Sequence, residues 1–159
     1  MAKLAKKTWN EKLANTKDMP KIEDIGHDPK MAARFGEGKM LIAAPSEYDQ
    51  IMKRVPGGKL ITTVQLREFL AKKHGADFTC PLTAGIFVNI AANASRERSG
   101  VDETPYWRTL KKDGELCEKY PDGIDGHRML LEMEGHTVVQ KGKRYFVKDY
   151  EQKLYELAL

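Results

Sequence analysis

At 159 residues, 41% of them hydrophobic and 31% charged, the chain has the size and make-up of one ordinary globular domain and is short for two. No apolar run approaches the ~20 residues of a membrane helix, and the early lysines lead into no apolar core, so no secretory leader and no membrane association are expected, and cytoplasmic residence is. A net charge of +4 tilts mildly toward acidic partners, and the two cysteines, Cys80 and Cys117, are too few for a disulfide framework.

Neither cysteine stands at metal-ligand spacing from His27, His74, His127 or His136. Two reduced thiols are therefore expected, with no metal and no cofactor.

In chain order, residues 1–39 read as an N-terminal helix and an irregular wrapping segment. The helix spans Ala5 to Asn15, with Trp9 and Leu13 one turn apart. The cluster Lys3, Lys6 and Lys7 is a solvated face or a binding arm. Lys17 to Glu37, rich in Pro, Gly and charge, is a connector. Residues 40–159 form the compact domain. Ser46 with Asp49 resembles a helix start ahead of Tyr48, Ile51, Met52 and Val55, and Pro56-Gly57-Gly58 turns the chain. After a short extended piece at Lys59 to Ile61, Thr62 and Gln65 have capping-box spacing, opening a helix with Leu66, Phe69 and Leu70 inward and Gly75 after it.

A further helix opens at Pro81, with Leu82, Ile86, Phe87 and Ile90 assigned to its buried side. Helix, tight connection, helix is the helix-turn-helix outline, with this last helix as the reading helix. It carries no Lys or Arg from Thr79 to Ser95, although phosphate affinity comes largely from such charges. A largely buried helix and a groove-reading one both fit that pattern. Thr83, Asn89 and Asn93 are its candidate DNA-contacting polar groups.

Trp107 to Leu116 alternates and turns at Asp113-Gly114, a hairpin signal. Ile124 to Glu134 reads as a helix stopped by Gly135. Two strands follow, Thr137 to Val139 and Tyr145 to Val147, around Lys141-Gly142-Lys143. Asp149 with Gln152 marks a last helix ending near Leu157. The expected fold is mainly α with small β-hairpins, a winged helix-turn-helix.

Four blocks carry more than fold: Pro105-Tyr106-Trp107-Arg108, Lys112-Asp113-Gly114-Glu115-Leu116, Tyr120-Pro121-Asp122-Gly123 and Leu130-Leu131-Glu132-Met133-Glu134-Gly135-His136. With Pro56-Gly57-Gly58-Lys59-Leu60-Ile61-Thr62-Thr63-Val64-Gln65-Leu66, they resemble the O6-alkylguanine-DNA alkyltransferase family over most of Ser46 to His136. Within that family the chain is most similar to the alkyltransferase-like branch, which lacks the reactive cysteine. The family's Pro-Cys-His-Arg block reads Pro105-Tyr106-Trp107-Arg108 here. In the alkyltransferase-like proteins a tryptophan typically replaces the cysteine and the histidine remains, so this chain shifts that pattern by one position.

The resemblance implies the family's C-terminal-domain fold, which grips the minor groove of double-stranded DNA and flips a guanine into a pocket. Flipping is needed because the O6 atom of a stacked guanine cannot be enclosed by a protein group. It implies a base pocket of Tyr106, Trp107, Arg108, Tyr120 and Glu134, although Tyr106 and Trp107 equally fit as rings that fill the space of an abandoned active site, and Glu134 as a solvated helix-end glutamate. On the DNA side it implies Thr62 and Thr63, Thr63 standing where the family has a tyrosine, and Leu82 or Thr83 near the family's intercalating arginine. A leucine serves as an apolar wedge in other minor-groove proteins.

The reaction itself is not implied. A phenol ionises near pH 10 where thiols ionise nearer 8.5, and an indole has no basic nitrogen. The expectation is recognition of an extrahelical, O6-alkylated guanine without repair, and therefore no catalytic residue; a repair or signalling protein would read the complex. Two alternatives stay open: a winged-helix interaction or regulatory module without lesion specificity, and a divergent methyltransferase using another nucleophile such as Cys80.

Overall fold

The computed structural model describes residues 7–26 and 28–158, in which six α-helices and seven short strands alternate. Of the N-terminal features expected above, Lys3, Ala5 and Lys6 lie outside the described residues.

The first helix, α1, is the single turn Trp9–Leu13, capped by Thr8 Oγ1, which accepts from the Glu11 amide. It docks on the C-terminal end of α5 (Pro81–Glu97). The Glu97 carboxylate accepts from the backbone of Trp9 and Asn10, and Arg98 donates to Asn10 Oδ1 at 2.7 Å.

The segment expected as an irregular connector holds two elements. Strand β1 (Lys21–Asp24) pairs antiparallel with β2 (Lys39–Ile42), and helix α2 (Pro29–Phe35) lies between them. The Asp28 carboxylate accepts from the Lys30 and Met31 amides, and Pro29 occupies the first turn, where its missing N–H costs nothing.

Helix α3 (Pro45–Met52) begins one residue before the expected Ser46 start, with Ala44 outside it and Pro45 first. Asp49 is no cap. It is buried and accepts from Thr104 Oγ1 at 2.6 Å, with Lys53 at 3.4 Å. Helix α4 (Thr63–His74) has the reciprocal cap its sequence predicts: Thr62 Oγ1 accepts from Gln65 N at 3.3 Å and Gln65 Oε1 accepts from Thr62 N at 2.9 Å. It ends at Gly75, whose φ of 69° suits glycine.

The link from α4 to α5 is more than a turn. Strand β4 (Phe78–Thr79) inside it joins β2 in parallel, completing the three-stranded sheet β1-β2-β4.

Helix α5 is the core's spine, but not with the face expected. Its buried stripe is Ala84, Val88, Ala91, Ala92, Ala94 and Ser95, and Ile90 is buried as expected. Leu82 and Ile86, assigned inward from the sequence, are instead 54% and 48% exposed, while Phe87 is half-buried. Small residues on the inner face let α1 and α3 approach closely, so the larger side chains turn outward.

Beyond α5, strand β5 (Thr109–Leu110) pairs in parallel with β3 (Ile61–Thr62). The expected hairpin at Asp113-Gly114 is a tight 3-10 turn closed by a single bond between its arms, from Lys111 N to the Glu115 carbonyl at 2.9 Å; beyond it the arms part, Thr109 and Leu110 to β3 and Leu116 to the carbonyl of Tyr145. Gly114 is required there, since a Cβ would stand 2.5 Å from the Tyr150 ring. Helix α6 (Gly123–Met133) and the antiparallel hairpin β6 (Val138–Lys141) with β7 (Arg144–Val147) follow as predicted, over a second small core of Leu60, Leu110, Leu116, Leu131 and Val147.

The last expected helix is a short 3-10 turn, Tyr150–Lys153. Asp149 stands at its N-terminus with φ 55°, and its side chain makes no capping hydrogen bond. The chain then runs back along β3, where Leu60 N donates to the Lys153 carbonyl and Tyr155 N to the Leu60 carbonyl.

Candidate functional site: a sealed aromatic block and an open cleft

The residues singled out from the sequence fall into two places. The first is the block at Tyr106 to Arg108, a 3-10 turn. Tyr106 is 5% exposed, with its ring edge-on to Trp107 at 5.4 Å and to Tyr120 at 5.3 Å between centroids. Tyr120 is itself buried, and its hydroxyl donates to the Thr109 carbonyl at 2.8 Å. Burial raises both phenols above their ordinary range. At Tyr106 the nearby Arg96 guanidinium offsets part of the rise. Arg96 and Asp122 form an exposed ion pair of 2.6 Å beside this ring.

On the other side of Trp107, Arg108 grips Glu134. Arg108 Nε donates to both carboxylate oxygens at 3.0 and 3.1 Å, and Nη2 donates to Oε2 at 2.6 Å. Nη1 donates to the Val55 carbonyl at 2.8 Å. Burial pushes the Glu134 carboxyl up, but the Arg108 hydrogen bonds and charge outweigh it, so the group titrates below the ordinary range. Trp107 Nε1 faces the same carboxylate without closing a well-shaped hydrogen bond, and is buried. Glu134 is therefore held by an arginine and has no base to serve.

The pin behind this block is His127, to which the sequence pointed only as a residue without metal-ligand spacing. It is fully buried. Its Nδ1 accepts from the Cys117 amide at 3.1 Å, so the proton is on Nε2, which donates to the Trp107 carbonyl at 2.9 Å. Burial lowers its pKa to about 4, keeping it neutral. The only sequence cue was a histidine on the inward face of an amphipathic helix, which by itself says nothing about its partners.

The second place is a cleft of about 280 Å³ between the N-terminal half of α5 and the loop from Lys111 to Tyr120. Leu82, Gly85 and Ile86 form one wall, Thr63 stands at one end, and Asn89, Cys117 and Tyr120 line it further in. Lys111 and Lys119 also border it. Cys117 Sγ donates to Asn89 Oδ1 at 3.3 Å, and burial raises its thiol pKa, so it is a thiol and not a thiolate at neutral pH. Asn93 ties the walls together, donating to the carbonyls of Asn89 and Lys119 at 2.9 and 3.2 Å.

Of the residues named from the sequence, Thr63, Leu82, Asn89 and Tyr120 thus meet in one cleft, braced by Asn93. Thr62 is buried as the α4 cap, and Thr83 Oγ1 bonds back to the Cys80 carbonyl at 3.4 Å. Tyr106 packs behind Tyr120, and Trp107, Arg108 and Glu134 do not line the cleft. Ile86 and Cys117, which do, were not among the expected site residues. Among the described residues, no three His, Cys, Asp or Glu side chains gather as a metal site, and no helix is long and apolar enough to cross a membrane.

No family model matches the chain, and no curated protein does. Two solved structures are similar in backbone. One is the crystal structure of S. pombe Atl1 in complex with damaged DNA containing O6-carboxymethylguanine, at 16% identity and a TM-score of 0.48, covering 71% of this chain and 94% of that one. The other is S. pombe ATL in complex with DNA, at 15% identity and a TM-score of 0.47, with the same coverage. Both likenesses are distant.

Proposed function

We propose that the chain binds double-stranded DNA through the α5 cleft and holds a single extrahelical guanine there, O6-alkylated in the preferred case, without transferring the alkyl group. The observation that carries this reading is the cleft itself, with Leu82 and Ile86 left in solvent on its lip. Fully burying a Leu or Ile contributes about 2 kcal/mol, and the fold forgoes about half of that at each of two positions on one helix face. Apolar side chains of this kind are what minor-groove proteins push between base steps. About 280 Å³ lies at the small end of ligand pockets and suits one planar ring system better than a large substrate. Asn89 Nδ2 makes no hydrogen bond among the described residues and is available to a base edge.

The absence of repair follows from the side chains. At the position of the family's cysteine stands a buried phenol behind Tyr120, and Cys117, the thiol in the cleft, is kept protonated by burial. Cys80 is buried and does not line the cleft.

The test is a titration against paired duplexes differing by one O6-methyl group, at two salt concentrations, with the protein mass measured afterwards. Tighter binding to the modified duplex and an unshifted mass are expected. Equal binding to both duplexes removes the lesion preference and favours the general winged-helix module. A protein mass raised by one methyl group sinks the non-catalytic reading.

A further inference from the structure

The cleft leaves one physical requirement unmet. Affinity for a nucleic acid comes largely from cations that displace the counterions of its phosphates. Helix α5 supplies none between Thr79 and Ser95. Lys111, at the cleft's edge, is engaged by Glu115 at 3.8 Å and Glu118 at 3.6 Å.

Lys119 borders the cleft, exposed and without an ion pair among the described residues, but one cation is too few to hold a duplex, and the larger group lies elsewhere. From Val138 to Lys148 the β6–β7 hairpin carries Lys141, Lys143, Arg144 and Lys148 and no carboxylate. Arg144 is committed to Glu115, at 2.7 and 3.1 Å. Lys141, Lys143 and Lys148 form no ion pair among the described residues, and all three are exposed. Lys141 and Arg144 both lie over the Phe146 ring, at 5.5 and 5.0 Å, making an aromatic floor capped by positive charge. That floor belongs to an open groove of about 770 Å³, also lined by Lys148 and by the carboxylates of Asp113, Asp149 and Glu151, so the free cations are those of the hairpin itself and not of the whole groove.

The hairpin is also tied to the cleft. The Lys111–Tyr120 loop that forms one cleft wall is the segment the hairpin holds: Leu116 N donates to the Tyr145 carbonyl at 2.9 Å, Glu115 bridges to Phe146, and the Arg144–Glu115 pair locks the side chains. A strand leaving the cleft along this loop would meet the hairpin.

We infer that the β6–β7 hairpin is the phosphate-binding element, with Lys141, Lys143 and Lys148 gripping the sugar-phosphate backbone of the same nucleic acid whose base enters the α5 cleft. This rests on the DNA-binding reading above. It divides the work: the hairpin supplies sequence-blind, salt-sensitive affinity, and the cleft supplies the preference for a base.

The measurement is fluorescence anisotropy of a labelled duplex across a series of salt concentrations. Three proteins are compared: wild type, the hairpin variant K141Q/K143Q/K148Q, and a control of equal charge change, K17Q/K30Q/K39Q, whose lysines are exposed in the N-terminal part. K143Q/K148Q, which leaves the Lys141–Phe146 contact intact, serves if the triple variant melts early. Each phosphate contact contributes about 0.9 to the slope of log affinity against log salt. The hairpin triple variant should lose about 2.7 units of slope and bind about tenfold or more weakly at low salt, while keeping its ratio of modified to plain duplex. The control should track wild type. A wild type that binds DNA while hairpin and control variants share one slope overturns this inference and leaves the cleft reading standing. A wild type that binds no duplex at low salt overturns both.

Discussion

The sealed block around Tyr106 and the open cleft beside α5 share Tyr120 and little else. In the block the charged and titratable groups are mostly spoken for inside the protein, Arg108 by Glu134 and Val55, His127 by Cys117 and Trp107, Tyr120 by Thr109, while the buried Trp107 Nε1 is left without a well-shaped bond. In the cleft, by contrast, Leu82 and Ile86 face water and Asn89 Nδ2 is unengaged. The motif that draws attention in the sequence lies in the first region, and the proposed binding site lies in the second. Changes in the block should therefore move stability, and changes in the cleft should move affinity.

The largest effect expected is from Arg108→Ala. It leaves the Glu134 carboxylate only 18% exposed and without its partner. Removing one member of a buried pair costs about 3–5 kcal/mol, and this pair, not wholly dry, belongs at about 3. Urea denaturation should show a loss of that size. Binding of the folded fraction to duplex should stay within about twofold, since Arg108 does not line the cleft. A variant of wild-type stability that no longer binds would reverse the assignment of the two regions.

Next comes acid. His127 has its folded pKa depressed to about 4 from an ordinary 6.5. The unfolded chain therefore takes up this proton first as pH falls, and stability declines from about pH 6.5 down to about 4. The loss is roughly 3 kcal/mol in all. Above pH 6.5 the contribution is fully present. Glu134 adds a loss at lower pH, as its depressed carboxyl is protonated in the folded state. His127→Gln should be less stable at pH 7 and should flatten the stability profile between pH 6.5 and 4. An unflattened profile would mean that another group carries the acid response.

The same contrast explains what the sequence revealed. Local signals survived: the Thr62–Gln65 cap, the end of α4 at Gly75 and the turn at Lys141-Gly142-Lys143 each depend on neighbours a few residues apart. Asp28-Pro29 carried an equally local helix-start signal, masked by the surrounding Pro, Gly and charge. Long-range choices were not readable. Helix α5 is apolar on more than one side, so periodicity alone could not show that alanines face in and Leu82 and Ile86 face out. The arms at Asp113-Gly114 stay joined by one backbone bond, from Lys111 N to the Glu115 carbonyl, and beyond it part to β3 and β7, a long-range choice that the turn residues do not encode. The partners of His127 are backbone groups of Cys117 and Trp107, and a backbone group has no sequence signature.

Smaller effects belong to the cleft. Leu82→Ala and Ile86→Ala remove side chains that are about half exposed, so their cost to stability should be within about 0.5 kcal/mol. Each should weaken binding to the modified duplex about tenfold, the loss of roughly one apolar contact of 1–2 kcal/mol. The salt slope should not change, because neither residue is charged. Unaltered affinity in both variants would remove the wedge role and leave the cleft a surface dimple.

The smallest effect should come from Tyr106→Phe, although this position begins the whole resemblance. The ring is what packs: it fills the space between Trp107 and Tyr120, and phenylalanine keeps it. The hydroxyl lies toward the exposed Arg96–Asp122 pair, where water competes for every bond, so its loss should cost about 0.5 kcal/mol or less. DNA affinity and lesion preference should be indistinguishable from wild type. A fall in lesion preference with unchanged stability would place the phenol against the bound base and move the site from the cleft back into the block. An unchanged preference would leave Tyr106 as packing behind Tyr120.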